Sequence, residues 1–155
     1  MAAQNIEIMC GGSADWGAPV RASATLSKTW YEAYLMNRFA LEDGSVHYLK
    51  LRIVGIDEID EDGEVPSGWG SLEFQDGDGD VLCGHTDWCR RDGVDGGVWT
   101  FSSGTGKWEG ATGSAELVLY GMPEDLEMEQ PPRDASRYYG FLEGTGRIDA
   151  PALNG

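Results

Sequence analysis

The sequence predicts an all-β chain: a single antiparallel eight-stranded β-barrel (roughly seven to eight strands) around a central hydrophobic cavity. Three observations predict it. Residues alternate with the period of a strand, most plainly from Val46 to Ile56, where Leu49, Leu51 and Ile53 share one face and Tyr48, Lys50 and Arg52 the other. Turn signals of Gly, Asp and Pro recur about every eight to fifteen residues. The 23 glycines of the 155-residue chain include a run too dense for a helix, Gly104, Gly106, Gly110 and Gly113, suited to a chain that bends and crosses closely over a neighbour. Closing the sheet leaves no edge open, and about eight strands enclose room for side chains or one small ligand.

Residues 1–22 read as an irregular lead-in, broken by Gly11-Gly12, Gly17 and Pro19, and residues 23–150 as the barrel domain. Ser23 to Phe39 is rich in Thr, Trp and Tyr and reads as a strand, with a helix over Tyr31 to Met36 as the rival. Asp43-Gly44 marks a hairpin into Val46–Ile56, and Asp57 to Gly68 reads as an acidic loop. Trp69 to Gln75 is the next strand, turned by Asp76-Gly-Asp-Gly79 into Asp80 to Arg90. A second Asp- and Gly-rich turn leads to Val98–Phe101, and Ser114–Tyr120 follows the glycine run. Residues 121–136, with three prolines, form the longest expected loop, a candidate lid. Arg137 to Ile148 closes the sheet, and residues 151–155 are a tail.

Composition narrows the function. Lys and Arg number 11 against 27 Asp and Glu, and a net charge of −16 repels phosphate backbones and anionic lipid surfaces. The expected partner is therefore a small molecule, with no nucleic acid and no membrane, and with a homo-oligomer left open. Met1 to Gly12 lacks a secretory signal, no apolar run suits a membrane span, and the three cysteines make no disulfide framework, so the expected compartment is cytoplasmic.

Two clusters invite a metal and are better explained without one. Asp76-Gly-Asp-Gly-Asp80 spaces its carboxylates like a calcium loop, but Val81 stands where the sharp turn needs glycine. Cys83, His85, Asp87 and Cys89 alternate on one strand face, spread over about 20 Å, too far for one tetrahedral ion. Neither a metal nor a cofactor is expected. No nucleophile elbow, phosphate loop, zinc-protease helix or dinucleotide fingerprint is present.

Aromatic residues are the remaining signal. The more apolar parity of each strand, taken as inward, gives Leu49, Leu51, Ile53, Leu72, Phe74, Trp99, Phe101, Leu117 and Leu119, joined by the polar His47, Tyr139 and Glu143. On the first strand Trp30, Glu32, Tyr34 and Met36 share a face. If that face is inward, Glu32 between two rings has a raised pKa suited to proton transfer; if outward, it is one more solvated carboxylate. The candidate polar groups are Glu32, Tyr34, His47 and Tyr139, and the candidate walls Trp30, Leu51, Phe74, Trp99, Phe101 and Leu117.

Phe101-x-x-Gly-Thr-Gly-Lys-Trp-Glu-Gly-Ala-Thr-Gly113 is echoed by Phe141-x-x-Gly-Thr-Gly-Arg147, a pair expected to form two corners of one closed sheet. With the alternating strand between them and Tyr138-Tyr-Gly-Phe-Leu-Glu-Gly144, this stretch resembles the C-terminal half of the allene oxide cyclase-like barrels. That group includes plant dirigent proteins and small bacterial natural-product cyclases such as the spirotetronate-forming enzymes. The matching glycines and aromatics shape the barrel, and none is a catalytic residue of the family. The resemblance implies a cofactor-independent cyclase or isomerase of a polyene, polyketide-like or oxylipin-like molecule, acting by confinement. A non-catalytic barrel binding a lipophilic ligand needs the same cavity, and a solidly packed barrel working through its acidic surface is a third reading.

Overall fold

Among the described residues of the computed structural model, which are 3–92, 94–121 and 137–154, nine strands form: β1 (Gln4–Trp16), β2 (Val20–Arg21), β3 (Leu26–Leu41), β4 (Val46–Asp60), β5 (Val65–Asp76), β6 (Val81–Arg91), β7 (Val94–Gly104), β8 (Thr112–Gly121) and β9 (Arg137–Asp149). Every pairing is antiparallel. β3 to β9 follow one another as neighbours, and β1 closes the ring by pairing with β9 on one side and β3 on the other. The result is a closed eight-stranded barrel, as the alternation predicts. β2 is an extra strand that pairs with the start of β3 beyond the point where β1 leaves it.

Three expectations are corrected. The N-terminal lead-in contains β1, without which there is no closed barrel. Its Gly11-Gly12 pair breaks nothing: a Cβ on Gly12 would lie 2.0 Å from the Tyr34 carbonyl, so glycine lets the two strands close up. The acidic loop is far shorter than expected, because β4 runs on to Asp60 and β5 begins at Val65. Asp57 is thus a strand residue. Finally, the two echoed glycine phrases do different work. Gly104-Thr-Gly106 ends β7 and enters a 3-10 turn, Gly106–Trp108, whereas Gly144-Thr-Gly146 stays within β9 and lies close against the β8 backbone.

The candidate lid falls at 122–136, outside the described residues apart from Gly121 at the end of β8. Among the described residues, no helix is long and apolar enough to cross a membrane.

One end of the barrel is packed solid. Phe39, Phe74 and Phe101 meet with ring centroids 5.3 to 6.0 Å apart, and Trp108 joins Phe39 edge-on at 6.4 Å. Trp108 is held by the Asp76–Asp80 hairpin, since its Nε1 donates to Asp76 Oδ2 at 3.1 Å. The same oxygen pairs with Lys107 Nζ at 3.1 Å, and Asp76 Oδ1 accepts from the Asp78 and Asp80 backbone N–H groups. The carboxylate spacing that resembles a calcium loop is therefore engaged in fastening the glycine-rich turn over the barrel's end.

Candidate functional site

Toward the other end, where β1 finishes, the interior is not filled. The inward positions there are unusually small: Gly12 and Ala14 on β1, Ala33 on β3, Gly55 on β4, Gly68 and Gly70 on β5, Gly140 on β9. They leave a cavity of about 90 Å³. At about 30 Å³ of liquid volume per water, this holds roughly three waters, or the end of a ligand whose remainder reaches out through the open side of the cavity. Aromatic and aliphatic groups line it, among them Trp16, Trp88, Trp99, Tyr31, Leu119 and Leu142, and Asp57 is the one carboxylate in its wall among the described residues.

Asp57 reaches this wall because β4 keeps its alternation past Ile53, so that Gly55 and then Asp57 face inward. The side chain lies against Gly68 on β5, where any Cβ would sit 2.2 Å from Asp57 Oδ1. Trp16 Nε1 donates to Oδ2 at 2.9 Å, while Oδ1 is buried with no partner. The residue is 5% exposed. Burial pushes its carboxyl above the ordinary 3.8, the Trp16 bond opposes that, and the charge of Asp95 adds to it.

Tyr31 lies one row further in, directly across from Gly55, which is itself paired with Gly70. Its hydroxyl rests over those two glycines, 2.8 and 2.7 Å from where their Cβ atoms would be. The row continues through Thr86 on β6 to Trp99 on β7, and Thr86 Oγ1 and Trp99 Nε1 are both buried without partners. Burial raises the Tyr31 phenol, and the nearby Asp57 charge raises it further, so Tyr31 stays protonated and can donate. The cavity thus presents one carboxylate and three further polar groups, Tyr31, Thr86 and Trp99, in an apolar enclosure. Such an arrangement can orient a small molecule, accept or return a proton through Asp57, and stabilise charge that shifts during reaction.

The residues picked out by parity are scattered. Trp99 lines the cavity. Leu51, Phe74, Phe101 and Leu117 face inward and are buried in the packed layers next to it. His47 is also inward but at the closed end, edge-on to Trp108 at 5.2 Å, its pKa lowered by burial and by Lys107. The first-strand residues are on the outer surface, the second of the two placements left open for that face, so Trp30, Glu32 and Tyr34 are not interior groups: Trp30 is 54% and Tyr34 52% exposed. Glu32 accepts from Tyr34 and from Arg52 Nε, and these bonds, Tyr34's foremost, hold its carboxyl below the ordinary range, the reverse of a buried proton carrier. Tyr139 and Glu143 also face outward, because the inward positions of β9 are Gly140, Leu142, Gly144, Gly146 and Ile148. On β6, His85, Asp87 and Cys89 likewise lie on the exposed face.

Sequence reasoning missed Asp57 and Tyr31, and one signal could have found both. Counting back from the Asp43-Gly44 hairpin pairs Leu51 with Leu35 and Ile53 with Ala33. Directly paired residues share a face, so the clear alternation of β4 fixes the ambiguous strand β3 and turns Tyr31 inward. Extending the same count places Asp57 inside.

Comparison with known proteins adds no name to this geometry: no family model, curated protein or solved structure matches the chain.

Proposed function

We propose that this barrel is a cofactor-independent cyclase or isomerase of a small hydrophobic molecule, or of the reacting end of a longer one, held in the cavity bounded by Trp16, Tyr31, Trp88 and Trp99. The observation that carries the reading is Asp57: a buried carboxylate with one oxygen unpartnered, in a largely apolar cavity whose wall among the described residues holds no other carboxylate. An unpaired buried charge is costly to keep, and sites that keep such groups are commonly sites of chemistry. Asp57 takes a proton from one position of the substrate and returns it at another. Tyr31, Thr86 and Trp99 stabilise the intervening charge, and the walls hold the near-attack shape. Proton and electrons balance within the substrate, so no oxidant or reductant is required. The glycine and aromatic resemblance to the allene oxide cyclase-like barrels bears on the barrel alone, since none of its matching residues is catalytic in that group.

The test is native mass spectrometry of the purified protein, with chemical identification of anything bound, followed by incubation with the acyclic or isomeric precursor. Turnover by the wild type that Asp57→Asn lowers by about a hundredfold or more supports the proposal. A compound retained and released unchanged by both proteins makes the barrel a carrier. A protein that purifies empty and binds no hydrophobic dye overturns the cavity reading.

A further inference from the structure

Building on that reading of the cavity, we infer that its ligand is a cation: a small apolar ammonium compound whose charged end sits against Asp57 and whose apolar body lies among the indole and phenol rings. The argument starts from what Asp57 lacks. Among the described residues, its one hydrogen bond comes from the neutral Trp16 N–H, and Oδ1 has no partner. The charge that acts on it comes from Asp95, another carboxylate. Among the described residues, no lysine or arginine lines the cavity. A buried carboxylate without a counter-ion is strongly unfavourable, and a ligand cation supplies what the described residues around Asp57 do not.

The surroundings favour the same charge. Trp16, Trp88, Trp99 and Tyr31 all line the cavity, and the faces of such rings attract ammonium groups. Further out, Asp95 is raised by its own burial, eased by Arg90 and raised again by Glu64, and Glu64 Oε2 is buried without a partner. Among the described residues, the groups around Asp57 are therefore mainly carboxylates, Asp95 and Glu64, with Arg90 the cation beside Asp95. The net charge of −16 extends that field into solvent, drawing cations in and turning anions away. An anionic ligand meets repulsion at every step. A neutral carbonyl ligand is the serious rival, since it would accept a hydrogen bond from protonated Asp57.

Calorimetric titration of the intact protein with three probes of one shape decides the matter: phenethylamine, 2-phenylethanol and phenylacetate. The amine should bind at least about tenfold more tightly than the alcohol, with the carboxylate weakest. Asp57→Asn, nearly the same shape, should remove the amine's advantage while the alcohol still binds, which shows that fold and cavity persist. Amine affinity should rise with pH as Asp57 ionises; the other groups facing it are Tyr31 from β3 and Asp95 from β7, the latter flanked by Arg90 and Glu64. Equal or tighter binding of the alcohol or the carboxylate, or affinity that falls with rising pH, overturns the inference and leaves the cavity reading standing. If none of the three binds, the cavity reading fails and the inference falls with it.

Discussion

Asp57 and Asp76 are the same residue type near opposite ends of one barrel, and their surroundings push them in opposite directions. Around Asp76, burial alone would raise the carboxyl, but Lys107, the Asp78 and Asp80 N–H groups and Trp108 Nε1 together hold it below 3.8. Its stabilising contribution is present above that ordinary value and is lost as pH falls through the depressed one. Asp57 is raised instead, so the folded state keeps a proton that the unfolded chain gives up at 3.8. The cost of Asp57 is absent in acid and grows as pH rises through that window. Thermal melts of two variants should therefore diverge. Asp57→Asn should melt higher than the wild type near neutral pH and match it at about pH 3. Asp76→Asn should melt lower near neutral pH, and its deficit should shrink in acid. A lower melting temperature for Asp57→Asn at every pH would mean that the carboxylate is compensated by something other than a ligand.

At the scale of the strand, glycine facing a large side chain on a neighbour is the recurring device. Tyr31 lies over Gly55 and Gly70, Trp88 against Gly97, and Trp108 against Gly104; on the outer surface the Phe141 ring covers Gly11. The glycines on β4 and β5 let the Tyr31 hydroxyl reach the cavity floor. In Gly55→Ala the new Cβ would stand 2.1 Å from the Trp69 carbonyl and 2.8 Å from the Tyr31 hydroxyl. Urea denaturation should show a loss of about 1–3 kcal/mol, the usual cost of overpacking. Gly77→Ala, with nothing within 4 Å of its Cβ, should stay within about 0.5 kcal/mol of the wild type. These pairings also explain which strands were legible. β4 and β5 alternate cleanly and reveal their inward face. β3 is apolar on both faces, with Trp30, Tyr34 and Met36 outside and Tyr31, Leu35 and Phe39 inside, so parity alone could not choose the inward face for Glu32 and Tyr34. On β9 the aromatic parity faces out because glycines were needed within, and Tyr139 was misplaced for that reason.

The whole molecule combines a closed sheet with a large unbalanced charge. Carboxylates outnumber cations in the turns as well as on the strands, and repulsion among them opposes compaction. Raising ionic strength from about 0.01 M to 0.5 M shortens the screening length from roughly 30 Å to under 10 Å. The melting temperature should rise over that range, and an unchanged or falling value would show that local ion pairs such as Lys107–Asp76 outweigh the global repulsion. Closure itself depends on β1, which supplies hydrogen bonds to both β3 and β9.

Alternation, turn chemistry and the density of glycine determined the antiparallel barrel and much of its hydrophobic interior, because strand period and turn type are local properties of the chain. Composition likewise set the expectation against nucleic acid, since net charge needs no fold. Tertiary structure decided where the cavity lies and that β1 closes the ring, and it put Asp57 rather than Glu32 in the cavity wall, a placement open to the sequence only through a register count across β3 and β4. Each of those depends on register: shifting one strand by one residue exchanges its two faces. Register is fixed only when every strand has met both of its neighbours.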